Sequence, residues 1–151
     1  MTNLFEASAV TEIRDRIARL LPESPRQWGT MTPAQALAHC SAGLEWAVGD
    51  RCPPPVPLGL RILGRLVKPL ALGNDKPMRR NSPTTPDLVI RDERDLNTEK
   101  QRLTSLVDRF VAGGSAQCTR SPHSFFGPLT PQQWATLMYK HLDHHLRQFG
   151  M

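Results

Sequence analysis

The sequence predicts an all-α protein in which four long helices form a bundle, with a long crossover between the second and the third. Four segments repeat apolar residues every three or four positions, as one face of a helix requires. Two Thr-Pro pairs, at residues 32–33 and 130–131, are typical of helix starts. No segment has a convincing strand pattern, although Leu88-Val89-Ile90 is apolar and short enough to be extended.

The first two helices are predicted at about residues 4–21 and 32–49. The first repeats apolar residues on one face, and two prolines follow it at Pro22 and Pro25. The second begins at Thr32, whose hydroxyl is a good N-cap. Pro33 suits the first helical position, and Gln35 can close a capping box.

The crossover, residues 51–90, differs from the rest of the chain in its many prolines and its irregular segments. Residues 53–57 contain four prolines and are predicted to be stiff and extended. Residues 58–72 then form an amphipathic helix, in which one stripe is basic and the other consists of Ile, Leu and Val. We interpret it as a helix lying on the bundle, with a membrane-surface or dimer-contact role as the alternatives. Residues 74–87 are predicted to be an irregular loop.

The last two long helices are predicted at residues 96–112 and 130–149. Gly113-Gly114 ends the third, and a loop over residues 115–129 follows. Thr130, Pro131 and Gln133 repeat the capping pattern of the second helix. The 151 residues suit one domain, residues 1–151, and nothing indicates a second.

Composition suggests a soluble protein of the cytoplasm. Hydrophobic residues make up 39% and charged residues 22%, as in ordinary globular domains. The three cysteines match no disulfide or zinc-finger spacing, so reduced thiols are expected. The most apolar stretch, residues 58–72, is too short to span a bilayer, so no membrane partner is expected. The net charge of +5 comes from scattered basic residues without a recognition motif, and no nucleic-acid partner is expected.

The most informative feature of the sequence is a histidine pair in the last helix. His141 and His145 are four residues apart, so both imidazoles project from nearly the same face. That face includes Trp134, Leu137, Met138 and Gln148, whereas Thr136, Lys140, Asp143 and Arg147 occupy the opposite one. Two neutral imidazoles placed in this way form half of a transition-metal site. His144 lies on the flank, where a supporting or packing role is expected.

His39 in the second helix is the best candidate for a third ligand. Its helical neighbours are small, including Ala42 and Gly43, and they leave room for an imidazole from another helix. Cys40 is interpreted as a small buried hydrophobe. Three histidines with an open position are typical of a catalytic metal centre, where bound water or thiol becomes a better nucleophile. The alternative is that each imidazole hydrogen-bonds separately inside the core.

Four further residues are weaker candidates for the pocket. Arg80, with Arg79 and Asn81 beside it, could bind an anionic group, although a solvated basic loop is the alternative. His123 lies in a loop beside aromatic residues, where a structural role is the simpler interpretation. Glu45 could accept a hydrogen bond behind the ligands, and Gln148 shares the face of His145.

Several phrases resemble the DinB-like superfamily, also called YfiT-like putative metalloenzymes. They are His39 in a helix that opens with Thr-Pro, and His141-x-x-x-His145-x-x-Gln148 in the final helix. Five further phrases resemble one subfamily of unknown function: Trp28-Gly29, residues 36–40, residues 80–84, residues 126–130 and residues 139–150. The resemblance covers nearly the whole chain.

The resemblance implies an up-down-down-up four-helix bundle that holds a divalent metal, often zinc or nickel, through His39, His141 and His145. Characterised relatives include transferases and isomerases that use low-molecular-weight thiols, where the metal activates the thiol. We therefore expect a metal-dependent thiol transferase or a hydrolase that acts on a small molecule. A non-catalytic module, in which the metal holds a ligand or steadies the fold, is the alternative. Relatives are frequently dimers, so a homodimer is a further expectation.

Overall fold

The computed structural model describes residues 1–151 and contains five α-helices and no strand. The all-α prediction is confirmed. Leu88-Val89-Ile90 is not part of a sheet, since residues 86–88 form a short 3-10 turn. The helices have these bounds: α1 Ala7–Arg19, α2 Pro33–Ala47, α3 Leu58–Leu72, α4 Leu96–Gly113 and α5 Pro131–Arg147.

Both predicted capping boxes are present. The hydroxyl of Thr32 accepts from the amide of Gln35 at 3.2 Å, and the Gln35 side chain accepts from the Thr32 amide at 3.0 Å. Thr130 and Gln133 make the same pair of hydrogen bonds at the start of α5. These bonds satisfy amide groups that a helix start leaves without partners, so the two ligand-bearing helices begin at fixed residues.

Four of the helices surround the core. α2 packs against α4 and α5, and α1 packs against the same two helices, whereas no contacts join α1 to α2 or α4 to α5. Large side chains from all four are fully buried between them, including Ile13, Leu44, Leu103 and Trp134. Burial of this apolar surface is the main force that holds the helices together.

α3 lies against α5 alone, and its apolar face is turned outward. The predicted helix over residues 58–72 is present and lies on α5, with its apolar stripe exposed to solvent. Gly64 instead faces the protein, because any side chain there would overlap the carbonyl oxygen of Phe125. Lys68, from the basic stripe, donates to the carbonyl of Pro128 at 3.0 Å. No helix is both long enough and apolar enough to cross a membrane.

The polar face of α5 is also largely buried. Asp143 accepts from the guanidinium of Arg16 in α1 at 2.9 Å, and both side chains are almost inaccessible to solvent. Lys140 donates to the carbonyls of Ala71 at 2.6 Å and Asn74 at 3.0 Å, just where α3 ends. α5 is therefore covered on more than one side, by α1 and by the end of α3 as well as by α2.

Candidate metal centre

The three predicted ligands meet between α2 and α5. Nε2 of His39 lies 2.8 Å from Nε2 of His141, and one nitrogen of each of the three rings lies within 4.8 Å of the others. His39 is 4% exposed and His145 is 8% exposed. Residues that are more than 100 positions apart in the sequence are thus brought to one point.

Gly43 provides the space that this arrangement needs. A Cβ at this position of α2 would lie 3.2 Å from Nδ1 of His141. The prediction that small neighbours of His39 admit an imidazole from another helix is confirmed. An alanine here would press directly on the ring of His141.

His39 is oriented by a backbone carbonyl. Its Nδ1 lies 2.7 Å from the oxygen of Leu88, and a carbonyl can only accept, so Nδ1 carries the proton. Nε2 is therefore left with its lone pair facing the other two histidines. A hydrogen bond behind the ring is the usual support of a metal-binding histidine.

His145 is oriented through Gln148. The Gln148 amide nitrogen donates to the carbonyl of Trp28 at 2.8 Å, so its oxygen faces Nδ1 of His145, 2.9 Å away. Nδ1 is then the donor, and Nε2 of His145 keeps its lone pair. Gly29 permits this contact, since it has a φ of +75° and a Cβ there would lie 2.6 Å from the Gln148 amide.

The three imidazoles are electrically neutral at physiological pH. Burial lowers the pKa of His145 to about 3, helped by the neighbouring His39. Burial and the surrounding histidines hold the pKa of His141 well below its usual range. The pKa of His39 is lowered by burial as well, against a raising effect of the Leu88 carbonyl. Neutral imidazole is the form that binds a metal.

These residues fit a divalent cation. A tetrahedral zinc site with bonds of about 2.0–2.1 Å separates its ligand nitrogens by about 3.3 Å. Here Nε2 of His39 and Nε2 of His141 are 2.8 Å apart, and the three ligand nitrogens lie within 4.8 Å of one another, so small shifts of the rings would admit the ion. Three nitrogen donors suit zinc, nickel or copper better than magnesium or calcium, which prefer oxygen. The rings also permit a metal-free arrangement, in which Nε2–H of His141 donates to Nε2 of His39.

A cavity of about 450 Å³ lies over the three histidines and is lined by parts of residues 28–31, 78–84 and 88–91.

A family model described as "Protein of unknown function (DUF1569)" matches residues 3–150. The chain belongs to that family. No curated protein and no solved structure matches it.

Among the weaker candidates of this DUF1569 protein, His144 and Gln148 line the cavity, whereas Arg80 contacts only its wall. His144 lines it, and its ring centre lies 5.0 Å from that of His145 and 5.5 Å from that of Trp28. The guanidinium of Arg80 sits 4.2 Å from the centre of the Trp28 ring, a cation–π contact. These contacts give both residues a place beside the cavity wall at Trp28.

Glu45 and His123 are engaged elsewhere in the DUF1569 chain. The carboxylate of Glu45 binds Arg102 and lies 3.5 Å from Arg51. Nδ1 of His123 accepts from the amides of Phe125 at 3.1 Å and Phe126 at 3.2 Å. Burial lowers the pKa of His123 to about 4, so it stays neutral and holds its loop together.

Three residues that support the histidines were not predicted as part of the site. Leu88 contributes only a backbone carbonyl, which no side-chain pattern reveals. Trp28 likewise contributes its carbonyl, and Gly29 contributes a backbone conformation. The one sequence signal was the Trp28-Gly29 phrase of the family resemblance, since glycine adopts a positive φ readily. The DUF1569 site therefore depends on loops as much as on its helices.

Proposed function

We propose that this chain is a DinB-like protein that binds one divalent cation, zinc or nickel, through His39, His141 and His145. The contacts of α1, α2, α4 and α5 support a four-helix bundle. Its up-down-down-up order is supported by the parallel pairing of α1 with α5, where Arg16 meets Asp143 and Leu4 meets Ala135, and of α2 with α4, where Gln35 meets Asp92 and Glu45 meets Arg102. The observation that supports the metal most directly is the orientation of two of the rings. His39 and His145 each donate from Nδ1 to a fixed acceptor, so each presents the lone pair of Nε2 to the same point.

We further propose an enzyme that acts on a small molecule, as a transferase using a low-molecular-weight thiol or as a hydrolase. Three protein ligands leave coordination positions open, and the cavity gives a small molecule access to them. When bound, a divalent cation lowers the pKa of a thiol or water and makes it a nucleophile at neutral pH. The protein's own residues orient the rings, exclude bulk water and shape the cavity.

Metal content tests the proposal. Protein without a histidine tag, purified with no added metal, should contain close to one equivalent of zinc or nickel by mass spectrometry. His145→Ala should abolish it. His144→Ala is the matched control, because the adjacent ring faces the cavity but lies outside the three-histidine cluster, and it should retain the metal. Wild-type protein that is metal-free and unchanged by chelator would contradict the proposal.

A second candidate is a non-catalytic module in which the cluster serves stability. The 2.8 Å contact between Nε2 of His39 and Nε2 of His141 favours it, because one proton shared there satisfies both rings. In that case His39→Ala should lower the melting temperature strongly, with or without metal. A variant that loses metal and keeps its melting temperature in chelator would point to the enzyme instead.

A further inference from the structure

The cavity over the histidines has no acidic residue in its lining. It contains two arginines, Arg79 and Arg91, and four of the five histidines of the chain. A pocket of about 450 Å³ has the size of a small-molecule site. Its polar groups are therefore cationic, neutral or hydrogen-bonding, with no carboxylate to repel an anion.

Neither of these arginines has an acidic partner. The side chains of Arg79 and Arg91 make no ion pair and no hydrogen bond within the chain, although both are exposed at the cavity. The nearest acid to Arg91 in sequence, Asp92, is paired with Arg94 at 2.9 Å. Both arginines line the same cavity and neither guanidinium is engaged, so both are free to bind a planar anionic group.

A divalent cation bound by the three histidines would have no negatively charged ligand from the protein. Three neutral imidazoles supply no negative charge, so a divalent cation would keep its full charge inside a largely buried cluster. An anionic ligand would offset this charge, and the low dielectric of the site strengthens that attraction.

We propose that the cavity takes a small organic carboxylate, whose carboxylate binds Arg79 and Arg91 while a donor at its other end, such as a thiol, reaches the histidines. The second contact depends on the proposed metal, whereas the first depends only on the arginines. Carboxylate-bearing molecules should bind better than neutral molecules of the same size, by about tenfold or more for a charge-assisted pair of hydrogen bonds.

Two thiols of matched size test this inference: 3-mercaptopropionate and its uncharged amide, 3-mercaptopropionamide. Each is titrated into cobalt-loaded protein, and its thiolate absorption band gives the affinity. The carboxylate should bind at least about tenfold more tightly, and Arg79→Gln with Arg91→Gln should remove the preference. Arg120→Gln is the control, because this arginine is exposed and lies outside the cavity. Equal affinities in the wild type, or a preference that survives the double variant, would overturn the inference.

A second measurement tests carboxylate binding separately from metal binding. If cobalt does not bind, the same thiol is titrated into metal-free protein while the Trp28 indole resonance is followed by NMR. A shift with 3-mercaptopropionate that the double arginine variant abolishes would support the carboxylate site without the metal. An unchanged resonance in the wild type would overturn it.

The outward face of α3 supports a second, independent inference. Leu58, Ile62, Leu66 and Leu70 follow at steps of four, so they form one stripe, and Leu63 lies beside it. These five residues are between 48% and 73% exposed. They expose an apolar area on the order of 500 Å², at the upper end of what monomers show.

The helix cannot turn to bury this stripe. Gly64 is pressed against the backbone of Phe125, so a rotation would drive a larger side chain into that carbonyl. Leu72 is buried, and Lys68 is bonded to Pro128. The apolar face is therefore a fixed feature of the folded chain.

A homodimer is already expected from the resemblance, and we infer that this face of α3 is the surface through which the second copy binds. The exposed apolar area is more than half of the roughly 800 Å² that each partner of a stable complex buries. An anionic membrane is a weaker match, because recruitment takes about four to eight clustered basic residues. α3 has three, and one of them, Lys68, already binds a carbonyl. Arg61 and Arg65 would lie in the polar rim of the dimer.

Sedimentation velocity tests the dimer. The wild type should sediment as a dimer at micromolar concentration, and Leu66→Gln with Leu70→Gln should give a monomer with an unchanged helical spectrum. Leu21→Gln, at an exposed leucine outside α3, is the control and should remain dimeric. A monomeric wild type would overturn the inference. So would binding of that monomer to vesicles of phosphatidylglycerol and phosphatidylcholine.

Discussion

The side-chain oxygen of Gln148 accepts the Nδ1 proton of His145 across 2.9 Å, three residues along the chain. Gln148 in turn is fixed by the carbonyl of Trp28, so a loop before α2 determines how a ring on α5 is oriented. The tautomer of one candidate ligand is therefore set by a residue that lies just beyond the end of its helix.

Gln148→Ala should weaken metal binding by about 10-fold to 100-fold, the usual cost of removing a group that orients a ligand. Zinc affinity is measured by competition with a chromophoric chelator. Gln132→Ala, on the exposed first turn of α5, is the control and should bind as the wild type does. Unchanged affinity in Gln148→Ala would mean that His145 does not need this support.

Gly43→Ala should reduce zinc affinity without unfolding the protein, because the new methyl group presses on the ring of His141. Helix propensity alone would favour the change by about 1 kcal/mol, so any loss of affinity reports on the site. Gly59→Ala is the matched control, since nothing lies near that glycine of α3. It should raise the free energy of unfolding in urea and leave zinc affinity unchanged. Equal affinities in the two variants would contradict the expected crowding.

The metal-free protein should lose stability as the pH falls below about 6.5. Burial lowers the pKa of His145 to about 3 and that of His123 to about 4. Over this range the unfolded chain takes up protons that the folded chain does not. The free energy of unfolding should therefore fall by about 1.4 kcal/mol per pH unit for each such histidine.

Urea unfolding of chelator-treated protein at pH 7, 6 and 5 measures this dependence. His123→Gln removes one of the two histidines, so its stability should fall less steeply. A free energy of unfolding that stays level between pH 7 and pH 5 would show that the imidazoles are protonated in the folded protein.

Asp143→Ala should destabilise the fold by about 3 kcal/mol, because the buried guanidinium of Arg16 loses its buried partner and keeps only the half-exposed carboxylate of Glu12. The matched control is Asp108→Ala, which breaks an exposed pair with Arg14. That change should cost no more than about 1 kcal/mol. Similar losses from the two variants in urea unfolding would show that burial adds nothing to the Arg16–Asp143 pair.

Local patterns predicted the helices and the three histidines. The Thr-Pro starts, the four-residue step from His141 to His145 and the small residues around His39 each depend on geometry within one helix. The orientation of α3 could not be predicted in this way. Its apolar stripe is ordinary for a helix that packs on a core, whereas the contacts of Gly64 with Phe125 and of Lys68 with Pro128 fix it facing outward.

The burial of Asp143 and Lys140 escaped prediction for a related reason. A polar face normally lies in solvent, but Asp143 meets Arg16 of α1 and Lys140 meets the end of α3, and both partners are distant in sequence. The carbonyl of Leu88 has no side-chain signature at all. Contacts between remote segments, rather than the pattern within a segment, decided these positions.

Lys140 immediately precedes His141, and its ammonium is bonded to the carbonyls of Ala71 and Asn74. A few residues after Asn74 the chain reaches Met78, Arg79 and residues 81–84, which line the cavity. The ammonium of Lys140 thus joins the helix that bears two of the histidines to the end of α3 and to the segment that leads into the cavity wall. A force that shifts α3, such as the docking of another molecule on its outer surface, would be transmitted through that ammonium to the mouth of the pocket.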